Sequence, residues 1–230
     1  SVFRDIEHAF LLDSGIAPTK LGRFSFMGGS PVAVFRGSRV APQSKPFASD
    51  IEVDRYITPS GETLTDRPSE HYWGDALDHL RNLLSQYAVA LRDDARELFP
   101  LLAGAVGYFG YEAGSWTGPG GRLKTAGSSA TPDIYFALYD TILCHCHETQ
   151  ESFLSVVGRG KTSAEAAENT ESVAAALRWR IEQLGDLQER PAQRPGRSIH
   201  VESCFDEQSY CQAVERIKDH IVAGDIYQAC

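Results

Sequence analysis

No run of about 18 or more consecutive apolar residues occurs in the chain, so it offers no candidate membrane-spanning helix. Its N-terminus, Ser1-Val2-Phe3-Arg4-Asp5, lacks a basic start leading into an apolar stretch, and no secretory leader is visible. An initiator Met is also missing, which places the expected true start upstream. No cluster of Lys or Arg stands out, and the net charge is −9. Binding to a phosphate backbone needs concentrated positive charge, so no nucleic-acid partner is expected. Cysteine is sparse and odd in number, five in all, without framework spacing. That pattern favours reduced thiols and a cytoplasmic setting over a disulfide scaffold. Neither a repeat of fixed period nor a Gly-x-Ser-x-Gly, His-Glu-x-x-His or calcium-loop pattern is present.

What remains is an ordinary globular composition. Of 230 residues, 42% are apolar and 23% charged, enough to bury a core in one large domain or two small ones. The first third reads as antiparallel β-structure. Ala9-Phe10-Leu11-Leu12 is closed by the turn signal Asp13-Ser14-Gly15. Arg23 to Met27 alternates polar and apolar residues, as a half-buried strand does, and Gly28-Gly29 ends it. Val32 to Phe35 follows Pro31. Ile51 to Thr58 and Glu62 to Thr65 flank Pro59-Ser60-Gly61, which predicts a hairpin.

Tyr72, Trp73, Ala76, Leu77, Leu80, Leu83 and Leu84 fall at helical spacing and predict a first helix. Leu101 to Tyr111 reads as a buried strand with three glycines, and Gly114 to Ser129 as a mobile glycine-rich loop. Ile134 to Leu143 and Ser152 to Val157 predict strands paired across the turn His147-Glu148-Thr149-Gln150. A second helix is expected from Ser163 to Leu184, with Ala167, Val173, Ala174, Leu177 and Ile181 on its apolar face and Gly185 as its stop. Residues 186–197 read as a linker, and Ser198 to Ser203 as a further strand. Asp206 is an N-cap for a third helix closed by Gly224, with Tyr210, Ala213, Val214, Ile217 and Ile221 at helical intervals. Asp225 to Cys230 then begins an apolar strand. A domain rarely finishes one helix and half a strand after a linker, because neither could bury its apolar face alone. Continuation beyond Cys230 is therefore expected.

Three motifs suggest sites and are weak. Gly160-Lys161-Thr162 resembles the end of a phosphate-binding loop, but position 155 is Ser where the motif needs a glycine, so a polar turn before a helix is expected. Cys144-His145-Cys146-His147 looks metal-binding, yet alternate strand residues face opposite ways, so four ligands cannot converge, although a pair could with help from elsewhere. Gly104, Gly107 and Gly110 are spaced three apart, unlike a dinucleotide fingerprint, and suit close backbone packing. Asp140 and Glu112 are single carboxylates with no visible partner. These residues alone name no active site.

Four segments together, in shared order and spacing, resemble the component I family of chorismate-utilising enzymes, which includes aminodeoxychorismate synthase and anthranilate synthase. They are Ala9 to Gly15 with Leu21 to Gly28, Ala103 to Glu112, Pro132 to Asp140, and Tyr210 to Gln228 with its Ala213-Val214-Glu215-Arg216-Ile217-Lys218 and Ala223-Gly224-Asp225-Ile226-Tyr227-Gln228 blocks. The resemblance covers nearly the whole chain, least strongly in the glycine-rich loop and residues 158–197. It implies an α/β fold of the α+β kind, with a layered two-sheet β-sandwich core and helices outside. Residues 1–185 would be the N-terminal component I domain, 186–205 a linker and connecting strand, and 206–230 the start of the chorismate-binding domain.

The resemblance also implies a chemistry. The whole enzyme would aminate chorismate with ammonia from a glutamine amidotransferase subunit or fused domain. Mg2+ would be bound by carboxylates beyond this chain, so no catalytic or metal residue is assigned here. The family's N-terminal tryptophan site maps onto Ser14, Leu21, Gly22, Arg23 and Phe24. A turn with free amides and a hydroxyl can hold an amino acid's charged ends beside a strand that flanks its ring. Anthranilate synthases usually carry Leu-Leu-Glu-Ser where this chain has Leu11-Leu12-Asp13-Ser14. The Asp-Ser form followed by Arg23-Phe24-Ser25-Phe26-Met27-Gly28 is more similar to aminodeoxychorismate synthases. Ala229-Cys230 departs from the family's usual Val-Asn. A non-catalytic amino-acid-binding module of the same fold is the remaining alternative.

Overall fold

The computed structural model describes residues 3, 6–14, 22–39, 49–65, 69–89, 100–111, 113, 131–184 and 202–229. The chain divides into two units, Ser1–Asp186 and Leu187–Cys230. In the first, the strands are β1 (Phe10–Leu12), β2 (Phe24–Gly28), β3 (Ala33–Arg39), β4 (Ser49–Arg55), β5 (Ser69–Gly74), β6 (Gly104–Phe109), β7 (Ile134–Tyr139), β8 (Thr141–Cys146) and β9 (Glu151–Val156). Its helices are α1 (Ala76–Gln86) and α2 (Ser163–Glu182), while the second unit holds α3 (Glu207–Ala223). All strand pairings are antiparallel, in a four-stranded sheet of order β1-β2-β8-β9 and a five-stranded sheet of order β5-β4-β3-β7-β6. Among the described residues this is an α+β architecture of two sheets and three helices.

Strand β3 shows why the sheets layer as they do. Its first residues, Ala33, Val34 and Phe35, are fully buried. Successive side chains on a strand point to opposite faces, so this unbroken apolar run has to be covered on both. Ala33 and Phe35 join Ile51, Val53, Ile134 and Leu138 in a core closed by Ala76, Leu80 and Leu83 of α1. Val34 instead packs with Ala137 and Tyr139, and with Ile142, Phe10 and Phe26 of the other sheet. The five-stranded sheet is thus sandwiched between α1 and the four-stranded sheet. Each fully buried side chain of this size contributes roughly 1.5–3 kcal/mol.

The sequence predicts one strand from Ile134 to Leu143, but the run breaks at Asp140. Strand β7 pairs with β3 and β6 in one sheet, and β8 with β2 and β9 in the other. Packed sheets need such a corner where a chain passes from one to the other. Asp140, a carboxylate with no partner visible in the sequence, is held there by Arg159. The guanidinium donates to both carboxylate oxygens, at 2.5 and 2.8 Å, and to the Tyr87 carbonyl at 3.0 Å. It also lies 5.0 Å from the Tyr87 ring centroid. Val157 N–H donates to the Asp140 carbonyl at 2.8 Å, closing the corner against the end of β9.

Other expectations need correction. Tyr72 and Trp73 are not on the first helix. They belong to β5, where Tyr72 donates to Glu70 while Trp73 stays 65% exposed. Asp75 caps the helix after them by accepting from Leu77 and Asp78 N–H. The hairpin around Pro59-Ser60-Gly61 forms, with Ile57 bridged to Thr63, Thr58 N–H donating to the Glu62 carbonyl and Leu64 N–H to that of Tyr56, but it adds no strand to the sheet, where β5 pairs with β4. Strand β6 lies at a sheet edge and exposes Tyr108 and Phe109, so it is not buried throughout. Among the face residues expected of α2, only Ala174 is buried. Helix α3 has the predicted Asp206 cap, reciprocated by Ser209, and Gly224 ends it at φ 79°. Residues 225–229 form no strand: Asp225 turns back to donate its N–H to the His220 carbonyl and pair with the His220 ring. The expected loop Gly114 to Ser129, the stop Gly185 and the linker 186–197 lie outside the described residues. So does the predicted strand from Ser198, apart from Glu202 and Ser203, which are not in strand.

The side chains of Arg159 and Asp140 are only 9% and 12% exposed. Removing one partner strands a charge largely shielded from water, at a cost of up to about 3–5 kcal/mol. Arg159→Met is therefore expected to lower the unfolding free energy by that amount in urea titration. Glu62→Gln, which breaks the exposed pair with Lys161, should leave the unfolding free energy nearly unchanged, since solvent screens an exposed pair. Equal losses would contradict this ranking.

Candidate functional site

The three weak motifs resolve structurally. Lys161 is paired with Glu62, its N–H donates to Glu165 at 2.8 Å, and Thr162 caps α2, so the segment is the polar turn expected. A Cβ on Gly107 would sit 1.9 Å from the Tyr135 carbonyl oxygen, and one on Gly110 3.0 Å from that of Asp133, so close backbone approach accounts for these two, whereas one on Gly104 would meet nothing nearer than 3.8 Å and that residue instead has φ 149°. On β8, Cys144 and Cys146 turn inward while His145 faces away and bonds Ser152. Among the described residues no three His, Cys, Asp or Glu side chains gather as a metal site, so they do not fit a magnesium ion. Cys144, Cys146, Cys204 and Cys211 are free thiols. No helix among the described residues is long and apolar enough to cross a membrane.

Of the expected ligand residues, Ser14, Arg23 and Phe24 lie at the corner where β1 leaves β2. Pairing runs from Phe10 opposite Gly28 to Leu12 opposite Phe26. Beyond it, Ser14 Oγ donates to the Phe24 carbonyl at 2.6 Å, and Ser14 N–H donates to Ser25 Oγ at 3.2 Å. Both donors of Ser14 are thus used inside the corner, contrary to the free amide and hydroxyl expected of it. Its oxygen keeps the capacity to accept. Gly22 is buried, and Leu21 lies outside the described residues.

Arg23 lies with its guanidinium 4.9 Å from the Phe24 ring centroid and its Nε 2.9 Å from Glu148. Cation and ring are therefore adjacent, as recognition of a zwitterion with an aromatic group would need. Three further residues complete the corner and were missed in the sequence: Asp13, Ser25 and His147. Ser25 Oγ lies 2.8 Å from Asp13 Oδ1 and 2.7 Å from His147 Nε2. No local signal could have linked positions 25 and 147, because the contact is made only when β2 pairs with β8.

Beside them, the thiol of Cys146 is drawn down to about 7 by the Thr149 hydroxyl and N–H, with help from Arg23 and the Glu148 N–H against the cost of burial. Cys144, two residues back, is pushed up to about 11 by burial and by Cys146. A depression along α3, lined by Gln208, Cys211, Gln212, Glu215 and Arg216, is formed by one helix and cannot enclose a substrate.

A family model described as chorismate binding enzyme matches residues 42–230. The chain belongs to that family. Aminodeoxychorismate synthase component 1 of Bacillus subtilis (strain 168) is 25% identical over 227 residues, covering 96% of this chain and 41% of the relative. Anthranilate synthase component 1 of Acinetobacter calcoaceticus is 27% identical over 155 residues, covering 67% and 30%. Anthranilate synthase component 1 of Thermus thermophilus is 27% identical over 221 residues, covering 96% and 40%. The crystal structure of anthranilate synthase component I from Streptococcus pneumoniae TIGR4 aligns with a TM-score of 0.46 at 17% identity, covering 92% of this chain and 41% of its own. This family member thus spans 30–41% of the length of the curated relatives named here. Its corner at residues 13–25 precedes the matched region.

The Cys146 shift predicts a pH dependence. The folded state holds the thiolate at about 7, below its ordinary value of 9.0, so the thiolate's contribution to stability is full above about pH 9 and lost as pH falls through about 7. The difference in Tm between wild type and Cys146→Ser should therefore grow as pH rises across that window. A difference constant with pH would contradict the assignment.

Proposed function

We propose that this chain is the N-terminal portion of an aminodeoxychorismate synthase component I, which replaces the 4-hydroxyl of chorismate with an amino group to give 4-amino-4-deoxychorismate, a precursor of p-aminobenzoate and folate. The observation that carries this choice is the Asp13-Ser14 turn followed by Arg23-Phe24-Ser25-Phe26-Met27-Gly28, where anthranilate synthases usually have Glu-Ser. The Bacillus subtilis relative, aligned over 96% of the chain, bears that name. Ammonia would come from a glutamine amidotransferase, as subunit or fused domain, and the compartment would be cytoplasmic. The second reading, anthranilate synthase component I, is favoured by the names of the Acinetobacter and Thermus relatives.

Both readings put amination at chorismate and differ in the carbon attacked. Mg2+ would neutralise the substrate carboxylate and help the hydroxyl leave. Its ligands, like the chorismate contacts, are assigned to the part of the relatives' length that this chain does not span. Residues 1–230 by themselves are accordingly expected to turn over no chorismate. Within them, the role assigned to the β1–β2 corner is to hold tryptophan or a similar amino acid. Asp13 and Ser14 Oγ would receive the ammonium, and Phe24 and Arg23 would flank the ring and carboxylate.

The protein encoded by the complete reading frame should convert chorismate, ammonium and Mg2+ to a product that a lyase cleaves to p-aminobenzoate, with no anthranilate fluorescence. Anthranilate fluorescence without p-aminobenzoate would overturn the assignment in favour of the second reading. Turnover by residues 1–230 alone would overturn the placement of the catalytic groups.

A further inference from the structure

We propose that His147 is a positioning residue for the β1–β2 corner: acting through Ser25, it fixes the Asp13 carboxylate and so sets the affinity of the corner for an α-amino acid. The inference rests on the reading of that corner as an amino-acid site, and adds to it a control from a distant turn.

Ser25 is 8% exposed, and three groups converge on its hydroxyl. They are Asp13 Oδ1 at 2.8 Å, His147 Nε2 at 2.7 Å and the Ser14 N–H at 3.2 Å. A hydroxyl has one proton to give and two lone pairs to fill. An ionised carboxylate can only accept, so the proton of Ser25 goes to Asp13. The Ser14 N–H fills one lone pair. The remaining lone pair needs a donor, which requires that His147 carry a proton on Nε2. With all three partners in place Ser25 is saturated, and its proton has a single direction. Losing the imidazole N–H leaves that lone pair unfilled in a nearly buried position and removes the contact that holds the Ser25 hydroxyl against Asp13.

His147 is itself held in place. Its N–H donates to the Arg23 carbonyl at 2.8 Å, and its carbonyl accepts from the Gln150 side chain at 2.7 Å. Its ring stands edge-on to His145 at 4.9 Å between centroids. The turn therefore grips both the backbone of Arg23 and the hydroxyl of Ser25, on either side of Phe24. The Arg23–Glu148 pair sits on the same turn, so the groups assigned to carboxylate and ammonium are both oriented from the β8–β9 connection.

The test uses the protein of the complete reading frame, titrated calorimetrically with L-tryptophan, and 15N spectra of the histidine rings. The wild type should bind tryptophan and show His147 protonated on Nε2. His147→Gln, whose amide can still donate, should keep affinity within about threefold, while His147→Leu should lose roughly tenfold. Ser25→Ala should lose a similar factor and release the His147 tautomer preference, a spectroscopic change that a merely structural role would not produce. Tryptophan binding with unchanged affinity in His147→Leu, or a wild-type His147 protonated on Nδ1 alone, would overturn the positioning role while leaving the amino-acid site standing. A wild type that binds no tryptophan would overturn both, beginning with the site.

Discussion

The chain passes from the five-stranded to the four-stranded sheet at the corner between β7 and β8, and the largely buried pair of Asp140 with Arg159 holds that corner. It adds a polar anchor to the apolar contact of the sheets, in which Phe10, Phe26 and Ile142 pack on Val34, Ala137 and Tyr139. The same guanidinium binds the carbonyl of Tyr87 at the end of α1, and Asn169 of α2 donates to the Arg159 carbonyl at 2.7 Å. One charged residue thus ties the sheet-to-sheet corner to α1 and α2. A paired charge in such a place adds little net stability over an apolar replacement, but it penalises any arrangement that leaves either member alone. Its value is therefore in specifying where the strand turns.

That turn has a consequence for the site. Because β8 begins immediately after Asp140, its register against β2 places Cys146 opposite Phe24 and His145 opposite Ser25. The following residue, His147, then folds over the end of the pairing and meets Ser25 from the side. A strand displaced by one residue would present the opposite face and remove the contact. The geometry of a corner built from residues 13, 14, 23 and 25 is in this sense decided at positions 140–147.

Local chemistry is the legible part of the sequence. The unbroken apolar run Val32 to Phe35, the Asp206 cap and the Gly224 stop each carry their own cause, and the structure places them as expected. The failures share a different cause. Tyr72 and Trp73 match helical spacing with Ala76 and Leu80, but pairing with β4 outweighs the periodicity and puts them on a strand. Ile134 to Leu143 reads as continuous because a sheet change alters neither hydrophobicity nor strand propensity. Asp225 to Cys230 reads as the start of a strand, yet a strand needs a hydrogen-bonding neighbour and none among the described residues supplies one. Ser14 is legible as a candidate site residue by resemblance. Ser25 and His147 are not, since 122 positions separate them and only tertiary pairing brings them together.

Native-state hydrogen exchange of the first unit tests most directly whether the Asp140 corner makes the two sheets one cooperative body. The amides of Phe26 and Cys144 report the four-stranded sheet, and those of Phe35 and Phe136 the five-stranded one. The account predicts a shared opening free energy in the wild type, and in Asp140→Asn an early, separate opening of Phe26 and Cys144. Independent opening of the two sheets already in the wild type, or an unchanged pattern in Asp140→Asn, would contradict it.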